Sequence, residues 1–435
     1  MRVLHVRSVA AASAWAVLGV VGGVAHAGSC DPQDLFDADV LYAAGAGSRD
    51  VAIGDLDGDG DLDLTVASFS SDAVGVLLNA GDGTFAPAVF YDAGDGPLTV
   101  AGGDLDGDGD LDLAVASQFS TDVNVLLNAG DGTFVLDAAY DIGVTPSFVG
   151  IGDLDGDGDA DLAVANFTGD DAGVLLNAGD GTFAPPVFYD AGDGPRSVTI
   201  GDLDGDGDLD LVTANEISDT ISVLLNAGDG TFAPQVLVNV GDAPQSVAIG
   251  DLDGDDDGDL AVANEDGNSV SVLLNAGDGT FVADGSYGVG DAPRFVVSGD
   301  LDGDGDADLA VANFTSDDVS VLLNNGDGTF GIDLTVDAGN APRSIAISDL
   351  DGDGFADLAV ANQFGDTVSV LLNQCGAVPP CPADLDGDGT VGTTDLLDLL
   401  AAWGPCEACP QDLDGDGVVG TTDLLELLAT WGPCA

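Results

Sequence analysis

Short apolar runs recur along the chain, each four to seven residues long and each bounded by Gly, Asp, Asn or Pro. In the first unit they predict four strands: 51–54 running into an acidic loop, 64–67 running out of it, 74–78, and 85–91 after a Gly-Asp-Gly turn. Val, Ile, Leu and Phe between turn residues, in runs too short for helices, favour strands. Only after residue 380 does the spacing change. There, Leu396, Leu397, Leu399, Leu400 and Trp403, and again Leu424, Leu425, Leu427, Leu428 and Trp431, lie at helical intervals.

The strand pattern repeats with a fixed period. Asp-Leu-Asp-Gly-Asp begins at Asp55, Asp104, Asp153, Asp202, Asp251, Asp300 and Asp349, always 49 residues apart. Self-similarity at this period indicates stacked supersecondary units, and seven four-stranded units suit an all-β seven-bladed β-propeller. The last unit stops after its third strand at Asn373, while an orphan strand, 36–43, precedes the first acidic loop. Residues 31–373 therefore hold seven whole repeats, and the N-terminal strand is expected to complete the last blade and cover its open edge. Shifted by seven repeats, Cys30 falls two residues from Cys375, so a disulfide between them is expected to staple the closure.

Composition narrows the chemistry. The 435 residues carry 79 Asp plus Glu against 6 Lys plus Arg, a formal charge of −73; Glu supplies only four of the acids and Lys is absent. Without a cationic surface to displace counterions, nucleic acid is excluded as a partner, and docking on anionic membranes is disfavoured. Disorder does not follow from the charge, because 45% of the residues are hydrophobic. Residues 1–27 have a basic start at Arg2 and Arg7, an apolar run and an Ala-His-Ala exit, the layout of a secretory signal peptide cleaved after Ala27. Cleavage removes both histidines, His5 and His26, which excludes His-based triads and imidazole-ligated zinc. The six cysteines remain, as expected in an oxidising compartment.

The acidic loops have the donors of a hard cation. In the first, Asp55, Asp57, Asp59 and Asp63 occupy positions 1, 3, 5 and 9, Gly60 makes the turn at 6, and Asp61 offers its carbonyl at 7. The same five positions hold Asp104, Asp106, Asp108, Asp110 and Asp112; Asp153, Asp155, Asp157, Asp159 and Asp161; and Asp202, Asp204, Asp206, Asp208 and Asp210. They continue as Asp251, Asp253, Asp255, Asp257 and Asp259; Asp300, Asp302, Asp304, Asp306 and Asp308; and Asp349, Asp351, Asp353, Phe355 and Asp357. Flexible all-oxygen cages suit Ca²⁺ better than Mg²⁺, which retains its waters. Two carboxylates ~4 Å apart without a cation cost roughly 1 to 4 kcal/mol, so repetition makes ion binding close to obligatory. The ion is expected to brace the turn rather than to act on a substrate. Asp256, where the other loops have Gly, predicts weaker binding in the fifth.

Together with Asn79-Ala-Gly-Asp-Gly-Thr-Phe85, these loops resemble FG-GAP (VCBS-type) repeats, as in the integrin α-subunit propeller, over about four fifths of the chain. The resemblance implies an extracellular recognition or adhesion platform with structural Ca²⁺ on one face. It implies no particular ligand.

All four arginines beyond the signal, Arg49, Arg196, Arg294 and Arg343, occupy one repeat position just before the first strand, where the other blades have Leu98, Ser147 and Gln245. Ring closure puts Arg294, Arg343 and Arg49 on consecutive blades, on the face opposite the acidic loops. They are candidates for an anion site, for example for uronate or sulfate groups of a polysaccharide; the alternative is that they offset neighbouring acids, such as Asp291 beside Arg294.

After a linker at 374–380 come two 28-residue copies, starting at Cys381 and Cys409. Asp384, Asp386, Asp388, Thr390 and Asp395, and then Asp412, Asp414, Asp416, Val418 and Asp423, fill positions 1, 3, 5, 7 and 12 of EF-hand-like loops, each followed by an apolar helix. The expected unit, 381–435, is a small all-α module, and it brings the possible Ca²⁺ count to nine. The duplicated loop and helix resemble a type I dockerin. That resemblance implies Ca²⁺-dependent folding and a cohesin-like receptor, with Thr393, Thr394, Thr421 and Thr422 at the recognition positions. Leu400 and Ala401 stand where that family often has basic residues. Pseudo-twofold symmetry would pair Cys381 with Cys434 and Cys406 with Cys409; pairing within each copy is the alternative.

Two functions follow as expectations. The first is a secreted, non-enzymatic Ca²⁺-binding propeller that recognises a glycan or protein and is attached through its tail. The second is a polysaccharide-degrading lyase or glycosidase, which needs one blade to carry an odd acid or Tyr cluster. The near-identical blades suggest no such cluster outside the Ca²⁺ loops.

Overall fold

The computed structural model describes residues 35–143, 145–331, 333–375, 385, 390–391, 393–405, 418–429 and 432–433. The chain forms two compact units, one containing Cys30–Cys375 and the other Gly376–Ala435. The expected signal peptide, and Cys30, Cys381, Cys406, Cys409 and Cys434, lie outside the described residues.

The first unit is a ring of seven four-stranded antiparallel sheets. In the first blade the strands are Ser48–Gly54, Asp63–Ser68, Ala73–Leu77 and Val89–Asp92. In the seventh, Pro342–Ser348, Asp357–Asn362 and Thr367–Leu371 take their outer strand from the N-terminus, Val40–Ala43, with Val40 opposite Val370 and Ala43 opposite Thr367.

Five of the seven outer strands start later than the apolar run suggests, and in three of them a proline stands at the break. In the first blade Phe85 makes only an isolated bridge to Asn79, and the strand begins at Val89, beyond Pro87. Proline has no N–H to give a ladder. Blades two and five lack that proline and their outer strands run unbroken over Phe134–Asp141 and Phe281–Gly288, whereas blades six and seven lack it too and still start late, at Leu334 and Val40.

Inner strands begin earlier than expected, and each opens with a bulge. The register shifts between Ser48 and Asp50 and at the same place in the other six blades, so the bulged residues are Arg49, Leu98, Ser147, Arg196, Gln245, Arg294 and Arg343. The arginines thus lie inside the first strands, not before them.

Blades pack through apolar side chains that alternate between the two faces of each sheet. Between the first two, Ala52, Ala67, Val74 and Val76 meet Val100, Leu113, Val115 and Leu126. Burying a Val or Leu side chain contributes about 1.5–3 kcal/mol each. Polar stitches fix the blade order. Asn128 Nδ2 donates to the Leu56 carbonyl of the preceding blade at 2.8 Å, and Asn79 Nδ2 donates to Leu350 at 2.8 Å, joining the first blade to the seventh. Tyr91 edges onto Phe134 with ring centres 5.5 Å apart, and Tyr42 of the N-terminal strand meets Phe85 in the same way at 5.4 Å.

In the second unit, helices Thr393–Ala401 and Thr421–Ala429 contact one another. Val391, Leu399, Val419 and Leu427 form its buried centre. Two short antiparallel pairs cross-link the copies, Thr390–Val391 with Gly432–Pro433 and Gly404–Pro405 with Val418–Val419, so the described part is not purely helical.

Candidate functional site

On one face of the ring, the loops between first and second strands gather carboxylates. Oxygens of Asp55, Asp57 and Asp63 lie within 4.8 Å of one another, as do those of Asp104, Asp106 and Asp108, of Asp153, Asp155 and Asp161, of Asp202, Asp204 and Asp206, and of Asp251, Asp253 and Asp255. The backbone holds them there. Gly58 N donates to Asp55 Oδ1 at 2.8 Å and Gly60 N to Asp55 Oδ2 at 3.2 Å; Gly60 has φ +97, open to glycine. The fifth loop keeps this bond through Asp256 N at 3.0 Å, with Asp256 itself at φ +71.

Position 9 is built into the fold. Asp63 is buried and accepts from Leu56 N at 2.9 Å and Asn79 N at 2.7 Å. Burial pushes Asp63, Asp308 and Asp357 up to about 7, and Asp112, Asp161, Asp210 and Asp259 to about 6. Backbone N–H donors pull the other way, and neighbouring aspartates add to the rise. Position 7 turns its carboxylate from the cluster to the Gly-Asp-Gly turn; a Cβ on Gly81 would sit 2.4 Å from Asp61 Oδ2. In the seventh blade Phe355 replaces that acid, and buried Cys375, itself disulfide-bonded, replaces the turn glycine. Convergent carboxylate oxygens without nitrogen or sulfur fit a hard divalent cation.

The bulges of the first strands aim seven side chains at a small mouth of about 50 Å³, lined by Arg49, Leu98, Ser147, Arg196, Gln245, Arg294 and Arg343. Beneath them Phe148 and Phe295 stack with ring centres 6.1 Å apart. Asp50 also lines the mouth, buried, accepting from Ser344 Oγ at 2.5 Å and Val100 N at 2.9 Å. Burial raises Asp50 to about 6, against the pull of Ser344, backbone N–H groups and Arg343.

Each arginine has a different setting. The Arg49 guanidinium lies 3.7 Å over the Phe69 ring, Arg196 lies 4.0 Å over Phe167, and Arg294 lies 4.7 Å over Phe314. Arg196 pairs with Glu216, and Arg294 with Glu265 at 2.5 Å rather than with Asp291. Arg343 Nη1 donates to Gln363 Oε1 at 3.4 Å. Among the described residues Arg49 and Arg343 form no ion pair, and Arg49 Nε is buried without a hydrogen-bond partner. Burial, with the charges of Arg196 and Arg294, lowers Arg49 to about 10; burial, with the charges of the other three arginines and against the pull of Glu265, lowers Arg343 well below its ordinary value. An incoming anion would relieve both costs.

Acids outside the blade loops therefore stand at the mouth or pair with its arginines, contrary to the expectation from near-identical blades. Glu216, Glu265 and Asp50 all lie at or beside the mouth. Two of only four glutamates stand at the same repeat offset, fourteen residues beyond Asp202 and Asp251, and that was the available signal. The phenylalanines under the arginines gave none, because Phe is also the repeat's commonest core ring.

In the second unit Thr393, Thr394, Thr421 and Thr422 are exposed in the first helical turns. Buried Asp395 accepts from Leu385 N at 2.7 Å, while Thr390 and Val418 sit in the short strand pairs. Asp384, Asp386, Asp388, Asp412, Asp414 and Asp416 lie outside the described residues, as does the Asp423 side chain.

A closed seven-bladed propeller with acidic loops on the blades and an arginine mouth defines the class. The FG-GAP-like repeat matches residues 55–115, 104–164, 153–213, 202–262, 255–311 and 300–360, and the chain belongs to that family. Solved propellers share the fold at low identity. A lectin of Agrocybe aegerita that recognises non-reducing terminal N-acetylglucosamine is 24% identical at a TM-score of 0.50, over 78% of this chain and 86% of its own. Virginiamycin B lyase of Staphylococcus aureus is 12% identical at 0.53, over 77% and 99%. The periplasmic gluconolactonase of Pseudomonas aeruginosa is 16% identical at 0.54, over 68% and 86%. No curated protein matches the sequence.

Proposed function

We propose that the protein is an exported, calcium-braced recognition module whose arginine mouth binds an anionic group of an extracellular glycan or protein. The observation that carries this is the Arg49–Arg343 pair. In a chain of charge −73, two guanidiniums on neighbouring blades face one mouth without an ion-pair partner among the described residues. Such cations are costly unless a ligand uses them. Ca²⁺ in the seven blade loops, and in up to two tail loops, would neutralise much of the surrounding acid and leave the mouth as the focus for anions.

The second unit serves attachment in this reading. Leu397, Leu400, Trp403, Leu425 and Leu428 are exposed beside the four threonines, an apolar and hydroxyl face repeated in both copies, as a cohesin-like receptor would require. Among the described residues no helix is long and apolar enough to cross a membrane.

Glu216 and Glu265 favour a second reading, a polysaccharide lyase or glycosidase working at the same mouth. Incubation with acidic polysaccharides, assayed for reducing ends and unsaturated products, separates the two. The recognition reading expects binding without turnover; turnover lost in Glu216→Gln or Glu265→Gln would replace it.

A further inference from the structure

From two of the mouth arginines, aromatic rings lead outward. Arg49 lies over Phe69, and Phe69 meets Phe119 of the next blade with centres 5.4 Å apart. Arg294 lies over Phe314, and Phe314 meets Phe364 of the next blade at 5.5 Å. The inner ring of each pair is engaged by a guanidinium. The outer rings are open, with Phe119 62% exposed and Phe364 64%. Phe119 is nevertheless seated: a Cβ on Gly96 would lie 2.8 Å from Phe119 and 3.1 Å from Phe69, so this ring rests where only glycine leaves room, while Ala341 stands at the equivalent position in blade seven.

Blades two and seven carry these outer rings on either side of the first blade, which bears Arg49. The bulged residue of blade seven is Arg343, so the two arginines without ion pairs lie between Phe119 and Phe364. Resting on the anion reading above, we propose that Phe119 and Phe364 are platforms for sugar rings, so that the ligand is an acidic oligosaccharide. One carboxylate or sulfate enters the mouth, and neighbouring pyranose rings lie on the two phenylalanines.

Two features select a saccharide over an acidic peptide. The mouth itself, about 50 Å³ and lined by Phe148 and Phe295, has room for one acid group from either. Inner-strand N–H groups that an extended peptide would pair with are taken by the neighbouring blade: Val100 by Asp50, Val149 by Thr99 and Val296 by Ser246. The rest of the rim offers planar polar groups, Gln363 beside Arg343 and Gln245 in the lining, suited to paired hydroxyls. Apolar ring faces beside planar hydrogen-bonding groups match a pyranose, which has apolar C–H faces and a polar edge.

The test is calorimetric titration of the full chain in Ca²⁺ with inorganic sulfate, with uronate and sulfated oligosaccharides of two to six sugars, and with an aspartate-rich peptide. The expected result is that at least one oligosaccharide binds at least tenfold tighter than sulfate. Phe119→Ala with Phe364→Ala should weaken the oligosaccharide by roughly 10- to 100-fold, leave sulfate unchanged, and be rescued by Phe119→Tyr with Phe364→Tyr. Both positions are exposed, so the loss of their ring contacts to Phe69 and Phe314 should lower the melting temperature only slightly, and binding is compared well below it. Sulfate binding without tighter saccharide binding overturns the proposal, as does an unaffected double variant or a peptide that binds better than every sugar. Failure of sulfate and every other anion to bind would instead overturn the anion reading beneath it.

Discussion

The Asp50 carboxylate accepts a hydrogen bond from Ser344 Oγ at 2.5 Å, across 294 residues of chain. Its other oxygen takes Val100 N at 2.9 Å, so one buried acid links the seventh, first and second blades at the mouth. Thr99 and Ser246 meet the next blade with neutral hydroxyls at the same repeat position. The first blade therefore carries a buried charge where an uncharged group makes the same link.

That charge should make stability depend on pH. Folding raises Asp50 from an ordinary 3.8 to about 6, mainly through burial, so the folded state holds the proton more tightly than the unfolded one. The contribution is greatest below the unfolded pKa, falls as pH rises between about 4 and 6, and is flat above. A rise of about two units corresponds to roughly 3 kcal/mol. With Ca²⁺ saturating, the stability difference between wild type and Asp50→Asn, measured by urea unfolding, should shift in favour of Asn by an amount of that order from pH 4 to pH 7. A difference constant with pH would contradict the assignment.

Chelation should act in the same direction on the opposite face. Without a cation the buried position-9 acids, from Asp63 to Asp357, are raised to about 6 or 7, so the metal-free fold loses stability as pH climbs through that range. A bound ion keeps these carboxylates ionised and removes the loss. A chelator should therefore lower the melting temperature little at pH 5 and by many degrees at pH 7.5. An equal drop at both values would contradict this linkage, and no drop at either would show that the loops do not depend on a cation.

The fifth loop holds an aspartate where the chain turns left-handed. Asp256 sits at φ +71, and its N–H still reaches Asp251 Oδ2 at 3.0 Å. Replacing it by glycine should relieve about 1 kcal/mol of backbone strain without disturbing that bond. Asp256→Gly is expected to raise stability and to remove one weak step from a Ca²⁺ titration. Lower stability would mean that the Asp256 carboxylate has a role of its own.

Much of this architecture is written in the period. Seven acidic loops at six identical intervals give the blades, and the unpaired run before Asp55 gives the strand that joins the last sheet. The second layer of detail is less legible because it depends on single backbone donors. The outer strand that the apolar residues alone would start at Phe85 starts at Val89, beyond Pro87, and blades six and seven start as late without a proline. The mouth arginines fall at one repeat position, but the bulge that swings them to the axis has no residue signature beyond the preceding Ser48 or proline. Glu216, Glu265 and Asp50 were hidden among 79 acids, and their meaning comes from packing beside guanidiniums. Phe119 and Phe364 are not told apart in the sequence from the six phenylalanines that are buried in the core.

The most direct test of the central claim is calorimetric titration of the Ca²⁺-loaded protein with inorganic sulfate, comparing wild type with Arg49→Ala plus Arg343→Ala. Those two arginines are the mouth cations without ion pairs among the described residues, so removing both should weaken sulfate at least tenfold while the melting temperature holds or rises. Equal binding by the wild type and the double variant, or no binding by either, would contradict an anion-recognising mouth.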